Sequence, residues 1–198
     1  MRKVMPFAAA WFAALMLIIS PVLAEFDSAV DYSELMVSAA ASGDAEAGHT
    51  AARRRDEKID SLGLDAAKID YDELVLLAKI IHTEAGSSWL PDDWKMAVGE
   101  VVLNRVASPE FPNTIRECVY QSGQYSGVGG SWFEALIPYK SCVEAAKRLL
   151  QGERVLNEPS VVFQSGEVQG SGVFREMTDK CFGSTYFCYS NHPELYEA

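Results

Sequence analysis

Positive charge is what this chain has least of. It carries 17 Lys and Arg against 28 Asp and Glu, a formal net charge of −11 over 198 residues. Nucleic-acid phosphates demand a basic footprint, so a nucleic-acid partner is excluded. An anionic polymer of any kind would have to be held by shape, hydrogen bonds and aromatic stacking instead. Histidine is scarce too: only His49, His82 and His192 are present, and no H-E-x-x-H occurs. A metal site is therefore not expected. His82-Thr83-Glu84 matches the H-x-E half of a zinc deaminase signature, but the P-C-x-x-C half is missing, because Cys181 and Cys188 stand too far apart. Ser126 is not in G-x-S-x-G, which leaves a serine hydrolase unsupported. Internal repeats and low-complexity tracts are absent, and only the first residues form a long apolar run.

That run reads as an export signal over residues 1–24. Arg2 and Lys3 precede an apolar stretch from Val4 to Ile19, and Val22-Leu23-Ala24 places small residues for cleavage before Glu25. An uncleaved anchor is the alternative, since the stretch is nearly long enough to span a bilayer. No Cys sits at the cleavage point, so nothing supports a lipoprotein. After cleavage no integral membrane association is expected, and the product would be secreted to the extracytoplasmic side. The remaining length suits one domain plus a modest extension.

The chain is organised around Ile69 to Arg105, which reads as two helices joined by a Gly-Ser turn. Asp70 and Glu73 have capping-box spacing, and Leu74, Leu77, Ala78 and Ile81 follow at helical intervals. Glu84 lies i+3 from Ile81 and i+7 from Leu77, so it falls on the apolar face. Gly86 is placed to stop the helix. A carboxylate there is either a satisfied helix-end Glu or a general acid whose pKa burial has raised. Spacing alone leaves both open. Cleavage of a glycosidic bond needs such an acid, because the leaving oxygen must be protonated as the bond breaks.

Residues 25–67 read as a helical hairpin, Tyr32 to Ala41 and Ala45 to Ser61, broken at Ser42-Gly43-Asp44. Arg53, Arg54 and Arg55 are expected on its solvated face. Within the second helix of the central block, Glu100 is expected at the surface, and Asn104 and Arg105 tie down neighbouring backbone. Asn113 or Thr114 caps a short helix through Tyr120. The loop Gln121-Ser122-Gly123-Gln124-Tyr125-Ser126-Gly127 is dense in amide, hydroxyl and ring. It is either a flexible turn or the wall of a sugar site. Trp132 is a second platform or core. Tyr139 to Gln151 is a helix, and Ser160 to Gln164 and Ser184 to Tyr189 read as two strands. An even number of cysteines behind an export signal favours disulfides, with Cys118–Cys142 and Cys181–Cys188 preferred and free thiols the alternative. A Cys–His amidase would need a free reactive thiol, which an oxidising compartment opposes.

The blocks LAKIIHTEAGSSW, VGEVVLNRVASPEFPNTI and VYQSGQYS resemble, in that order, the catalytic domain of SleB-type cell wall hydrolases, which include spore-cortex-lytic enzymes of germination. The resemblance runs from about Tyr71 to the C-terminus and places the catalytic domain at residues 68–198. It implies an α+β, mainly helical, lysozyme-like domain with a small β unit, preceded by the helical hairpin. It implies a single catalytic Glu in the E-A block, here Glu84. It favours a sugar-binding role for Gln121, Gln124, Tyr125 and Ser126, and more weakly for Phe163, Gln164, Tyr186 and Phe187. The expected substrate is peptidoglycan and the expected reaction lytic transglycosylation between MurNAc and GlcNAc, with no cofactor. Two alternatives stand beside it. One is a hydrolytic muramidase drawing a second carboxylate from Asp92, Asp93, Glu100 or Asp179. The other is a non-catalytic wall-binding module. The stage of action, the muramic-lactam requirement and the oligomeric state are not legible in the sequence.

Overall fold

Helix α3 (Tyr71–Ala85) is the element against which most others pack. In the computed structural model, which describes residues 30–196, it begins at Asp70, whose side chain accepts the Glu73 N–H at 3.0 Å. That bond satisfies one of the free donors of the first turn. Leu74, Leu77, Ala78, Ile80 and Ile81 are fully buried along it. Helices α4 (Asp92–Ala107) and α7 (Lys140–Leu150) pack on α3 and on each other. Gly99 makes this three-helix contact possible. A Cβ there would lie 2.5 Å from Leu149 Cδ1 and 2.8 Å from Ile81 Cδ1, closer than packed side chains allow.

Two helices precede this bundle, α1 (Tyr32–Ser42) and α2 (Ala45–Leu62). The chain from Ser33 onward forms one unit with the rest, and α2 reaches α3 through an edge contact between the His49 and Tyr71 rings at 4.9 Å. Arg55 departs from the solvated face expected of the arginine run. It is only 9% exposed, and its Nε donates to Ser33 Oγ at 3.1 Å. Three consecutive helical positions span about 200°, so Arg53 and Arg54 face water while Arg55 turns inward. The export signal expected at residues 1–24 lies outside the described residues.

Two short helices, α5 (Ile115–Val119) and α6 (Ser131–Ala135), flank the amide-rich loop. The β unit has three strands, not two: β1 (Val161–Ser165), β2 (Val173–Asp179) and β3 (Gly183–Tyr189), antiparallel in the order β1-β3-β2. Strand β2 leaves no mark in the sequence because it lies at the edge and is nowhere fully buried, so Val-Phe-Arg-Glu-Met-Thr-Asp shows no clean alternation. The protein is thus a mainly helical α+β structure.

A polar stripe on α4 seats the chain that leads into β1. Glu100, expected at the surface, is 1% exposed and accepts three backbone N–H groups: Val155 at 2.6 Å, Leu156 at 2.9 Å and Asn157 at 2.8 Å. One turn on, Asn104 Nδ2 donates to the carbonyls of Glu158 at 3.0 Å and Val161 at 2.9 Å, and Arg105 Nε donates to that of Val162 at 2.6 Å. Buried backbone groups need partners, and here a helix face supplies them.

The expected disulfides are not formed; all four cysteines are free. Cys181 is exposed in the β2–β3 turn, whereas Cys188 lies beyond the first paired residue, Gly183, at the far end of β3 opposite Val173. A strand rises roughly 3.3 Å per residue, so the two are separated by well over the ~7 Å limit for a bridge. Cys118 and Cys142 are buried on α5 and α7, and the Cys118 thiol donates to the Pro112 carbonyl at 3.0 Å.

Candidate active site

Glu84 occupies the last turn of α3 and is half-buried. Two effects there oppose its ionisation: removal from water, and the negative end of the helix dipole. Burial raises its pKa from the ordinary value of 4.5, and the positive charge of Arg105 partly counters the rise. The chain then turns sharply at Gly86. A Cβ on Gly86 would fall 2.2 Å from the His82 carbonyl oxygen, so only glycine lets the backbone fold back against the helix at this point.

Arg105 comes from α4 and is 3% exposed. Its guanidinium carbon lies 5.2 Å from the Phe111 ring centre, 5.4 Å from Tyr125 and 5.9 Å from Phe163. Rings at these distances stabilise a cation through their faces. Nε is used on β1, while buried Nη1 has no partner among the described residues. The Tyr125 hydroxyl is likewise buried without a partner. Burial, opposed by Arg105 and reinforced by the charge of Glu84, pushes its pKa up to about 12. The phenol therefore keeps its proton and acts as a donor. Gln121 Oε1 and both amide atoms of Gln164 are also buried and unpartnered. Buried polar atoms are ordinarily satisfied, and a cleft whose partner is substrate is one place where they are not.

The electrostatic and ring contacts thus join Glu84, Arg105, Tyr125 and Phe163 from four separate parts of the chain. Gln124 is half-buried, with its backbone N–H donated to the Gln121 carbonyl at 3.2 Å, and Ser126 is exposed on the same turn. The strand candidates divide. In β3, Phe187 is fully buried and belongs to the hydrophobic core, so it is withdrawn as a substrate contact. Tyr186 is half-buried and points to the opposite face of the sheet, as adjacent strand residues must. It pairs with Ser165 in β1 and Glu176 in β2.

Arg105 lies closer to Glu84 in its electrostatics than the sequence announces, because a cation near the end of α4 is explained equally well by its tie to the backbone of β1. His82 stays apart from this chemistry: its ring stacks on Tyr139 at 4.2 Å, Nδ1 accepts the Tyr139 N–H at 3.1 Å, and burial lowers its pKa. Among the described residues no group of three or more His, Cys, Asp or Glu is placed to hold a metal ion, and no helix is long and apolar enough to cross a membrane.

Each acidic side chain considered as a second carboxylate has its place elsewhere. Glu100 holds the 155–157 backbone, and Asp92 approaches Lys95 at 4.0 Å. Asp93 is exposed on the first turn of α4. Asp179 accepts the N–H groups of Cys181 and Phe182 within its own hairpin. The charge felt by Glu84 comes from Arg105.

Residues 91–189 match the family model described as Cell Wall Hydrolase. The match spans α4 through β3, including Arg105, Tyr125 and Phe163, and begins beyond Glu84. No curated protein and no solved structure matches the chain.

Proposed function

The chain belongs to the cell wall hydrolase family, whose members degrade peptidoglycan, and from that premise we propose that it cleaves the glycan strand between MurNAc and GlcNAc with Glu84 as general acid and base. The observation that carries this reading is a half-buried carboxyl at a helix C-terminus, raised in pKa by burial and partly countered by the charge of the buried Arg105. Glu84 in its protonated form donates to the glycosidic oxygen as the bond to the muramic acid carbon breaks. An oxocarbenium-like centre develops on that carbon. Arg105 stabilises the carboxylate that Glu84 becomes. The carboxylate then accepts the proton of the muramic acid 6-hydroxyl, whose oxygen closes on the same carbon to give a 1,6-anhydro end. Glu84 is thereby reprotonated, and no metal or organic group takes part.

The single carboxylate supports this lytic route over hydrolysis. In retaining glycosidases two carboxyl groups lie about 5–5.5 Å apart, and in inverting ones about 6.5–9.5 Å. Glu100 has both oxygens taken by backbone N–H groups, and Asp179 has Oδ1 taken within its own hairpin and by Trp89. Gln121, Gln124, Tyr125 and Ser126 line the sugar side, with Phe163 beside Arg105 on the strand side, whereas Gln164 shares a sheet face with Phe187 and Tyr186 lies on the other. Catalysis is assigned to residues 68–198, in a lysozyme-like arrangement, and the leading segment directs the protein to the extracytoplasmic side.

The test is a digest of purified peptidoglycan by the wild-type chain and by Glu84→Gln, with products read by mass spectrometry. Wild type is expected to release anhydro-muramic ends, and Glu84→Gln to lose about 10²–10⁴-fold in rate, the usual worth of a positioned general acid. Reducing ends would assign hydrolysis instead. Equal activity in the variant would remove Glu84 from the mechanism. No cleavage by either chain, with wall binding kept, would mark a binding module.

A further inference from the structure

The loop that leaves Glu84 carries Trp89, whose side chain is 60% exposed yet held from two sides. Its indole Nε1 donates to Asp179 Oδ1 at the tip of the β2–β3 hairpin, at 3.3 Å. The same oxygen accepts the N–H groups of Cys181 at 2.8 Å and Phe182 at 2.9 Å, so the acceptor is itself fixed. These bonds keep the Asp179 carboxyl below its ordinary pKa, and it stays charged in mildly acidic conditions. Behind Trp89, the next residue is anchored. Leu90 is 2% exposed, its N–H donates to the Ser87 carbonyl at 3.1 Å, and its own carbonyl accepts from Lys95 Nζ at 2.6 Å. Lys95 is 1% exposed, so a buried ammonium helps hold this loop.

An apolar ring normally gains by lying down on the protein surface. Here the hydrogen bonds and the anchored backbone hold an indole with most of its surface in water. Phe182, 40% exposed on the same hairpin tip, packs its edge against Trp94 at 5.4 Å and adds a second fixed ring. Trp132 offers a contrast. It is equally exposed, on the short helix α6, but its Nε1 has no hydrogen-bond partner among the described residues.

We propose that Trp89, locked by Asp179, is a preformed stacking platform for a pyranose ring of the same glycan strand that Glu84 acts on. A sugar presents a face of C–H groups that packs on an aromatic face and a rim of hydroxyls that needs acceptors. The indole meets the first requirement. Asp179 meets the second through Oδ2, which takes none of the three bonds made by Oδ1. A ring fixed before binding loses little freedom when the sugar arrives. Five residues of chain reach at most about 18 Å, which keeps Trp89 within a few sugar units of Glu84. The proposal rests on the glycan-cleaving reading but concerns binding, so the two fail separately.

The experiment measures depletion of the full chain from solution by insoluble purified peptidoglycan, in the Glu84→Gln background so that no cleavage intervenes. Trp89→Ala is expected to weaken binding about tenfold, the order of one lost aromatic stacking contact. Trp89→Phe should recover part of the loss, and Asp179→Asn should weaken binding with the fold intact by circular dichroism. Trp132→Ala should bind like its parent. In the active chain, Trp89→Ala should raise KM several-fold with kcat little changed. Equal binding with and without the indole would overturn the proposal. So would equal losses in Trp89→Ala and Trp132→Ala, which would mean general adhesion through exposed rings. Either outcome leaves the product analysis of Glu84 standing.

Discussion

Arg105 lies over the face of Tyr125, with its guanidinium carbon 5.4 Å from the ring centre. This contact joins helix α4 to the amide-rich loop and brings a permanent positive charge next to a phenol that cannot ionise near neutrality. In the proposed mechanism Glu84 completes the set as the group whose protonation changes. A buried cation costs less when aromatic faces surround it, and Phe111 and Phe163 supply two more. The arrangement favours both states that a general acid must visit. Burial favours the protonated acid before transfer, and Arg105 favours the carboxylate after it.

The pH profile should expose this balance. In the proposed mechanism the active form of Glu84 is protonated, so kcat/KM should fall as pH rises through its raised pKa. Arg105 lowers that pKa, so Arg105→Gln should carry the falling limb to higher pH, while Arg105→Lys should leave it near the wild-type position. A purely structural Arg105 would lower the rate without moving the limb. The rate of peptidoglycan clearing across pH makes the comparison.

Glu84 should also cost stability at neutral pH. Its folded pKa is raised above the unfolded value near 4.5, so above that value the folded state holds more protons than the unfolded one. Stability then falls as pH rises from about 4.5 toward the folded pKa. Glu84→Gln should therefore melt at a higher temperature than wild type near pH 7. The difference should vanish at pH 4 and below. Calorimetry at a series of pH values reads it directly.

Glu100 tests the other role open to a buried carboxylate. Its oxygens satisfy three backbone N–H groups in the segment before β1. Glu100→Ala should destabilise the fold by about 3 kcal/mol, since charged hydrogen bonds are lost and buried donors are left unpaired. Urea titration measures this. At pH values and temperatures where the variant stays folded, its pH–rate limb should coincide with that of wild type, because Glu100 acts on backbone and not on Glu84.

Thiol counting checks the cysteines. In the native chain one group, Cys181, should react promptly with an aromatic disulfide reagent, because it alone is exposed. Cys118 and Cys142 are buried and their pKa values are raised chiefly by that burial, so they should stay silent until the chain is unfolded. Denaturant should bring the count to four. A count of zero after denaturation would mean that both bridges form.

Much of the helical frame was legible because its causes are local. Asp70 before α3 and Thr114 before α5 announce themselves through capping within three residues. The apolar spacing of Leu74, Leu77 and Ile81 repeats within one helix and by itself puts Glu84 on the helix's apolar face. Other features had no local cause. Strand β2 exists because β3 offers it an edge, and its own residues show no pattern that demands a strand. Phe187 and Tyr186 look alike in the sequence, and only the register of the sheet sends one to the core and the other to the opposite face.

The chain by itself determined the helices, their caps, the acidic balance and the presence of one carboxylate on an apolar face, because each depends on neighbours a few positions away. Tertiary structure alone decided what surrounds that carboxylate. Glu100 meets its backbone partners across 55 to 57 residues, Arg105 meets Val162 across 57, and Trp89 meets Asp179 across 90. The same residue types would have read as surface charge, backbone tie and solvent-exposed ring under a different packing. Burial and charge proximity set the pKa of Glu84, and both are properties of the folded volume, not of the order of residues along the chain.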